Sequence, residues 1–152
     1  MKKIALVAHD NRKKDLIDWV EWNAENLAKH KLICTGTTGR LVKDTLESRL
    51  SPEKRSKIDV KRLKSGPLGG DQQLGSLICD GEIDLIIFLW DPMTTQPHDV
   101  DVKALLRIAV LYNVPTACNR ATADFIISSP LLSSDYKPVL VDYSSYIERS
   151  FA

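Results

Sequence analysis

Asp71 and His98 carry side chains that acid–base chemistry uses, and each lies where a loop is expected to enter a helix. Asp71 follows a glycine pair at a predicted helix start, where a carboxylate acts either as a general base or simply as a helix cap. His98 follows Pro97 and precedes Asp101 by three residues, so His98 and Asp101 can share one helical face. A histidine there can polarise a carbonyl group or carry a proton, and the plainer alternative is a loop histidine without a chemical role.

Asp91 directly follows an apolar run, and it either takes part in catalysis or holds His98 or a backbone loop in place. Asp71, Asp91 and Asp101 together raise a magnesium site as an alternative. The sequence lacks the HExxH motif and has no cluster of cysteines and histidines with ligand spacing. We therefore expect no metal ion.

Two glycine-containing loops have the composition of phosphate-binding sites. The residues concerned are Thr35, Gly36, Thr37 and Thr38 in the first loop and Ser65 and Gly66 in the second. Glycines allow a ligand to approach the backbone closely, and the helix expected after the first loop directs free N–H groups at an anion. Neither loop contains the P-loop or the dinucleotide-binding motif, so we expect a small phosphorylated ligand rather than ATP or NAD. Such sequences are also common in ordinary turns.

His9 follows the first apolar run, and Lys13 lies four residues later. At a helix start, this spacing lets both side chains approach one site. Lys13 would then place a positive charge beside a phosphate group, and the alternative is a solvated surface lysine.

A basic stretch at residues 54–64 raises RNA binding as an alternative function. The stretch has no interleaved aromatic residues, and the net charge of the whole chain is only +1. A solvated edge strand is the favoured interpretation, so we expect no nucleic-acid partner.

The elements that must position these residues alternate between strands and helices. Apolar runs predict strands at residues 4–8, 31–34, 58–63, 85–90 and 114–118, with a further short strand at 138–142. Helical spacing predicts helices at 12–29, 41–50, 72–79, 102–112 and 122–127, the last capped by Thr122. This order predicts one α/β domain over residues 1–152, with three layers, a mainly parallel five-stranded sheet and helices on both faces. Ligands of such sheets bind beyond the carboxyl ends of the strands, where the polar residues described above would meet.

The sequence also indicates the cellular compartment. No apolar stretch approaches the ~20 residues of a membrane span, and the run at 4–8 is too short for a signal peptide. The cysteines, Cys34, Cys79 and Cys118, lie far apart in apolar stretches, so we expect buried, reduced thiols rather than disulfides. These features predict a cytoplasmic protein without a membrane partner.

Taken together, the motifs resemble those of the methylglyoxal synthase family across nearly the whole chain. The matching segments are residues 4–10, 35–39, 65–73, 88–92, 97–107 and 121–124. The most specific are GGDQQ at 69–73 and PHDVDVKALLR at 97–107. The resemblance implies an enzyme that converts dihydroxyacetone phosphate to methylglyoxal and inorganic phosphate without a metal or organic cofactor. It also implies a homohexamer that phosphate inhibits.

The same resemblance implies a role for each residue. Asp71 corresponds to the catalytic base, and Asp91 and Asp101 match further acidic residues of the site. The positions that would contact the substrate are His9, Lys13, Thr35, Gly36, Thr37, Thr38, Ser65, Gly66 and His98. Arg149 resembles a family arginine that reaches phosphate from a neighbouring subunit. The chain differs from the family in extra residues at 51–57, away from these positions.

Two other functions stay open on resemblance of fold. One is a regulatory module like the allosteric domain of carbamoyl phosphate synthetase, which binds effectors and does no chemistry. The other is a nucleotide-processing enzyme like the cyclohydrolase half of the last purine-pathway enzyme. Asp71 and His98 argue against the first, because binding alone does not need a carboxylate beside a bound phosphate.

Overall fold

The computed structural model describes residues 1–148 and contains a five-stranded, fully parallel sheet. The strands are β1 (Lys3–Ala8), β2 (Lys31–Cys34), β3 (Asp59–Arg62), β4 (Leu85–Leu89) and β5 (Thr116–Ala117). Their order across the sheet is β3-β2-β1-β4-β5, and each neighbouring pair is parallel. The chain therefore builds outward from β1 to one edge and then from β4 to the other. The strand order reverses between β1 and β4, and in such sheets ligands bind at this switch point.

Helices cover both faces of the sheet. They are α1 (Lys13–Trp22), α2 (Ala24–Leu27), α3 (Thr38–Arg49), α4 (Pro52–Arg55), α5 (Gly70–Cys79), α6 (Asp99–Leu111), α7 (Arg120–Ser128), α8 (Pro130–Ser133) and α9 (Ser144–Ile147). Short 3₁₀ turns at Asp10–Arg12 and Gly66–Leu68 lead into α1 and α5. None of the helices within residues 1–148 is both long and apolar enough to cross a bilayer.

The side chains of β1 alternate between two separate cores. Ile4 and Leu6 pack on one face against residues of α1 and α3, while Ala5 and Val7 pack on the other against residues of α5 and α6. This alternation follows from the two-residue period of a strand. It confirms the predicted three-layer arrangement. The more polar β3 lies at the sheet edge, as its composition predicts.

The helix predicted at residues 12–29 is divided at Asn23. The Asn23 side chain donates a hydrogen bond to the Trp19 carbonyl oxygen at 2.9 Å, and its backbone N–H donates to the same oxygen at 3.1 Å. Asparagine side chains compete with helical backbone bonding in this way, so α1 ends there and α2 starts anew. Trp19, buried in α1, donates its indole N–H to Asp124 at 2.9 Å and ties α1 to α7.

The predicted cap of α7 is wrong by three residues. Asn119, not Thr122, precedes the helix, and its side-chain oxygen accepts hydrogen bonds from the backbone N–H and the hydroxyl of Thr122, both at 2.9 Å. Both residue types favour caps, but only Asn119 has the extended backbone that a capping position requires.

The expectations for residues 138–142 and for the cysteines also need correction. Residues 138–142 form no strand in the described chain; Val139 is exposed, and its carbonyl oxygen accepts from the Asn113 side chain at 2.9 Å. The edge strand β5 has only two residues, and within the described chain no backbone hydrogen bond joins residues 138–142 to it. Cys34 is buried as expected, but Cys79 is exposed and Cys118 is half-buried. Cys79 is exposed because it lies at the solvent side of the last turn of α5.

Candidate active site

A cavity of about 280 Å³ opens at the carboxyl ends of β1, β2 and β4. It lies at the switch point of the sheet and collects most of the residues predicted from sequence. The predicted residues that line it are His9, Lys13, Thr35, Gly36, Thr37, Thr38, Ser65, Gly66, Asp71 and His98. The carboxyl ends of parallel strands share one edge of the sheet, so residues distant in sequence meet there.

Asp71 and His98 form a buried carboxylate–imidazole pair in this cavity. The distance from Asp71 Oδ2 to His98 Nε2 is 3.5 Å, and the two residues are 3% and 7% exposed. Asp71 Oδ2 makes no hydrogen bond, and neither does His98 Nδ1. Burial raises the pKa of the Asp71 carboxyl; His98 opposes the shift and Asp101 adds to it. A buried carboxylate of raised pKa that lines a cavity and has one oxygen free of hydrogen bonds is suited to take a proton from a ligand.

Glycines bring this pair close to the backbone. A Cβ atom at Gly66 would lie 2.6 Å from His98 Nε2 and 3.1 Å from Asp71 Oδ2. A Cβ atom at Gly70 would lie 2.0 Å from the Lys64 carbonyl oxygen. The backbone therefore has room only for glycine at Gly66, before α5, and at Gly70, where α5 begins. Gly69, with φ of +97°, supplies the left-handed turn that starts the helix.

His9 is held as a neutral hydrogen-bond donor. Its Nδ1 accepts the backbone N–H of Asp91 at 3.1 Å, which places the proton of the neutral ring on Nε2. Burial lowers the pKa of His9, and His98 lowers it further. The ring packs edge-on against Phe88 and His98, with centroid distances of 5.2 and 5.7 Å. His9 Nε2 is buried without a partner, so its N–H is available to an oxygen of a bound ligand.

The two loops predicted to bind phosphate touch each other. Gly36, with φ of +51°, donates its N–H to the Lys64 carbonyl oxygen at 3.1 Å, and a Cβ atom on Gly36 would lie 3.0 Å from Ser65 Cβ. Helix α3 starts at Thr38 directly after the first loop. Its first N–H groups have no partners within the helix, and the helix dipole favours a negative charge there.

Lys13 supplies a cation to the same place. Its Nζ lies 2.6 Å from Asp10 Oδ1 and 2.8 Å from Thr37 Oγ1. The hydrogen bond to Lys13 lowers the pKa of Asp10, so the two side chains are paired as ions. Lys13 is thereby directed at the first loop rather than left as a free surface lysine.

Asp91 and Asp101 are near this cavity but do not line it. Asp91 is buried, and it accepts hydrogen bonds from the Met93 N–H and the Asn11 side chain, both at 3.0 Å. The Met93 bond, with the Asn11 bond, lowers the pKa of Asp91. The backbone N–H of Asp91 donates a hydrogen bond to His9 Nδ1. Asp91 therefore holds both the loop at Met93 and the His9 ring in place. Arg149 lies outside the described residues.

Asp101 lies half-buried in the first turn of α6, where its charge acts on Asp71. Within residues 1–148, no three or more histidine, cysteine, aspartate or glutamate side chains are grouped so that they could hold a metal ion. The carboxylates of Asp71, Asp91 and Asp101 thus do not assemble the magnesium site considered above.

Sequence reasoning did not assign roles to Asp10 and Gln96, which also line the cavity. Asp10 could have been recognised from its three-residue spacing to Lys13, which is an ion-pair spacing in a helical turn. Gln96 lies in an irregular loop, and its backbone N–H donates a hydrogen bond to Asp99 Oδ2 at 3.1 Å. No local pattern identifies such a loop residue, because its placement depends on the following helix.

Comparisons with known proteins relate the whole chain to one family. The MGS-like domain family matches residues 15–118. The methylglyoxal synthase of Leptospira interrogans is 54% identical over 149 residues, which cover 98% of this chain and 94% of that protein. The methylglyoxal synthase of Maridesulfovibrio salexigens is 55% identical over 152 residues, covering 98% of this chain and 97% of that protein.

A solved structure is similar over the same range. The crystal structure of methylglyoxal synthase from Elizabethkingia anophelis NUHP1 superimposes with a TM-score of 0.87 and 52% sequence identity, covering 99% of this chain and 93% of that chain. The sequence similarity and the shared fold extend over nearly the whole length of both proteins. The chain therefore belongs to the methylglyoxal synthase family of enzymes.

Proposed function

We propose that this chain is a lyase that converts dihydroxyacetone phosphate to methylglyoxal and inorganic phosphate through an enediolate. One observation carries the proposal. Asp71 Oδ2 is buried without a hydrogen bond, 3.5 Å from His98 Nε2, in a cavity that also holds Lys13 and the two loops. This combination suits a base acting on a small phosphate ester.

The first step is removal of a proton. Asp71 takes a proton from the hydroxymethyl carbon beside the carbonyl group of the substrate, and the electron pair moves onto the carbonyl oxygen. His98, and the neutral His9 with its free Nε2–H, can donate hydrogen bonds to this developing charge. Donors that are already positioned stabilise such charge most, because they need no reorganisation during the reaction.

The second step is elimination of phosphate. The terminal hydroxyl group of the enediolate becomes the aldehyde as its proton passes to the leaving phosphate, while the C=C bond shifts toward the adjacent carbon and the C–O bond to phosphate breaks. Asp71 then returns its proton to the remaining enolate oxygen, and the resulting enol tautomerises to methylglyoxal. The breaking C–O bond must align with the π system of the enediolate, so the loops must hold the phosphate out of the enediolate plane. The free N–H groups at the start of α3, the Ser65–Gly66 loop and Lys13 supply the positive potential that such a dianion requires.

We also propose that the chain forms a homohexamer, that phosphate inhibits it and that it acts in the cytoplasm. Trp22 and Phe125 are 84% and 80% exposed, and burial of their apolar surface in a subunit contact would stabilise an assembly. Light scattering on the purified protein tests the assembly, and a monomer would contradict it.

The test of the proposed reaction is incubation of the purified protein with dihydroxyacetone phosphate, following methylglyoxal and free phosphate together. Equal release of both products, absent from the Asp71→Asn variant, is expected. If neither product appears while inorganic phosphate still raises the Tm, the chain is a phosphate-binding module without this chemistry.

Lys13→Ala should raise the KM for dihydroxyacetone phosphate about tenfold or more, because it removes a charged hydrogen-bond donor from the phosphate loop. Inhibition by inorganic phosphate should weaken by a similar factor. Lys14→Ala is the matched control, since Lys14 is the adjacent lysine and pairs with Asp18 on the surface. Steady-state kinetics with dihydroxyacetone phosphate measure both KM values. Equal KM values for the two variants would show that Lys13 is an ordinary surface lysine.

A further inference from the structure

The glutamines of the GGDQQ motif have no part in the reaction described above, yet one of them bonds to the backbone of the site. Gln73 Oε1 accepts the backbone N–H of Lys64 at 2.8 Å. Lys64 directly precedes the Ser65–Gly66 loop. Gln73 lies on α5, two residues after Asp71.

Both backbone polar groups of Lys64 form hydrogen bonds. Its N–H donates to Gln73, while its carbonyl oxygen accepts the Gly36 N–H of the first loop at 3.1 Å. The next carbonyl oxygen, that of Ser65, accepts the Gly70 N–H at the start of α5 at 2.8 Å. One short backbone segment thus joins both loops to the helix that carries Asp71.

Burial does not explain the presence of Gln73. Its side chain is exposed and fills no core, so its contact with Lys64 is what the side chain adds to the structure. Gln72, its neighbour, is also exposed, but its side chain makes no hydrogen bond within the described residues. Of these two adjacent glutamines on α5, Gln73 alone has a side chain bonded, within the described residues, to the backbone beside the site.

We infer that Gln73 is a positioning residue that holds the Lys64 backbone, and through it the Ser65–Gly66 and Thr35–Thr38 loops, in register for the substrate phosphate. The inference rests on the proposed function, because it assigns these loops to phosphate. Gln73 does not touch substrate. Its effect should fall on phosphate binding, while proton removal by Asp71 depends on α5 itself, which stays in place.

The experiment compares Gln73→Leu with Gln72→Leu, both with good helix-forming replacements. Gln73→Leu should raise the KM for dihydroxyacetone phosphate and the Kd for inorganic phosphate about two- to tenfold, the range expected for one lost hydrogen bond, with kcat changed less than twofold. Gln72→Leu should leave all three values unchanged. Tm measured for each variant shows that the fold is intact.

Gln73→Glu provides the rescue, because a carboxylate oxygen can still accept the Lys64 N–H. Its added charge is controlled by Gln72→Glu, and both are measured at about 0.3 M salt, where exposed charges are strongly screened. Gln73→Glu should then match Gln72→Glu.

The outcomes separate this inference from the proposed reaction. If the wild-type protein forms methylglyoxal but Gln73→Leu binds phosphate normally, the positioning role is wrong and the reaction stands. A fall in kcat at unchanged KM also overturns the inference, because it would place the influence of Gln73 on Asp71. If the wild-type protein releases no methylglyoxal, the proposed reaction itself fails, whatever the variants do.

Discussion

Asp71→Asn is expected to lower kcat about 10²–10⁴-fold, the contribution of one positioned general base. Asparagine keeps the shape of the side chain but cannot take a proton. The fold should remain intact, because Asp71 Oδ2 makes no hydrogen bond that the change would break. Release of methylglyoxal by the purified variant checks the prediction, and near-normal turnover would remove Asp71 from the role of base.

The same variant should be more stable than the wild type at neutral pH. Burial raises the pKa of Asp71 in the folded state above its ordinary value of 3.8, so the folded protein holds this proton more tightly than the unfolded chain does. Stability therefore falls as pH rises from the ordinary value through the raised one, and it stays lowered above both. Asparagine does not ionise, so the variant does not lose stability in this way. A higher Tm for Asp71→Asn at pH 7, with the difference shrinking in acid, is the expected result.

The raised pKa also predicts the acid limb of the pH profile. Asp71 acts as a base only when deprotonated, so kcat/KM should rise with pH through the pKa of this carboxyl in the free enzyme. Because burial raises that pKa, the midpoint of the limb should lie above 3.8. If the midpoint of the acid limb lies at or below the ordinary pKa range of aspartate, a group other than Asp71 limits the rate.

Gly66→Ala is expected to lower kcat about 100-fold, the effect of moving reacting groups by roughly 1 Å. The new Cβ atom would lie 2.6 Å from His98 Nε2 and 3.1 Å from Asp71 Oδ2. Both side chains are buried except toward the cavity that they line. Relief of the contact must therefore displace the Gly66 loop or the two side chains, and displacement of the side chains would break their 3.5 Å approach.

Gly75→Ala is the matched control for this change. Gly75 lies inside α5, four residues after Asp71, and a Cβ atom there would meet nothing within 4 Å. Alanine should stabilise the helix by roughly 1 kcal/mol and leave kcat unchanged. Wild-type kcat in Gly66→Ala, or an equal loss in Gly75→Ala, would contradict the steric argument.

The sequence by itself determined the fold class and most of the residues around the cavity. Fully apolar runs such as residues 85–89 are typical of strands buried on both faces, and parallel strands bring their carboxyl ends together. From that geometry alone, His9, the loop at Thr35 and Asp71 had to face one crevice. Local signals were weaker at chain ends and caps. Asn23 and Asn119 each decided a helix boundary through a side-chain hydrogen bond that hydrophobic periodicity does not report.

Only the tertiary structure shows that the aspartates of the proposed site differ in environment. Burial raises the pKa of Asp71, while hydrogen bonds from Met93 and Asn11 lower the pKa of Asp91. The structure likewise decided the tautomer of His9 and the contact of Gln73 with Lys64. Protonation and positioning depend on atoms brought close from distant parts of the chain, because desolvation and hydrogen bonding act over a few ångströms of space rather than along the sequence.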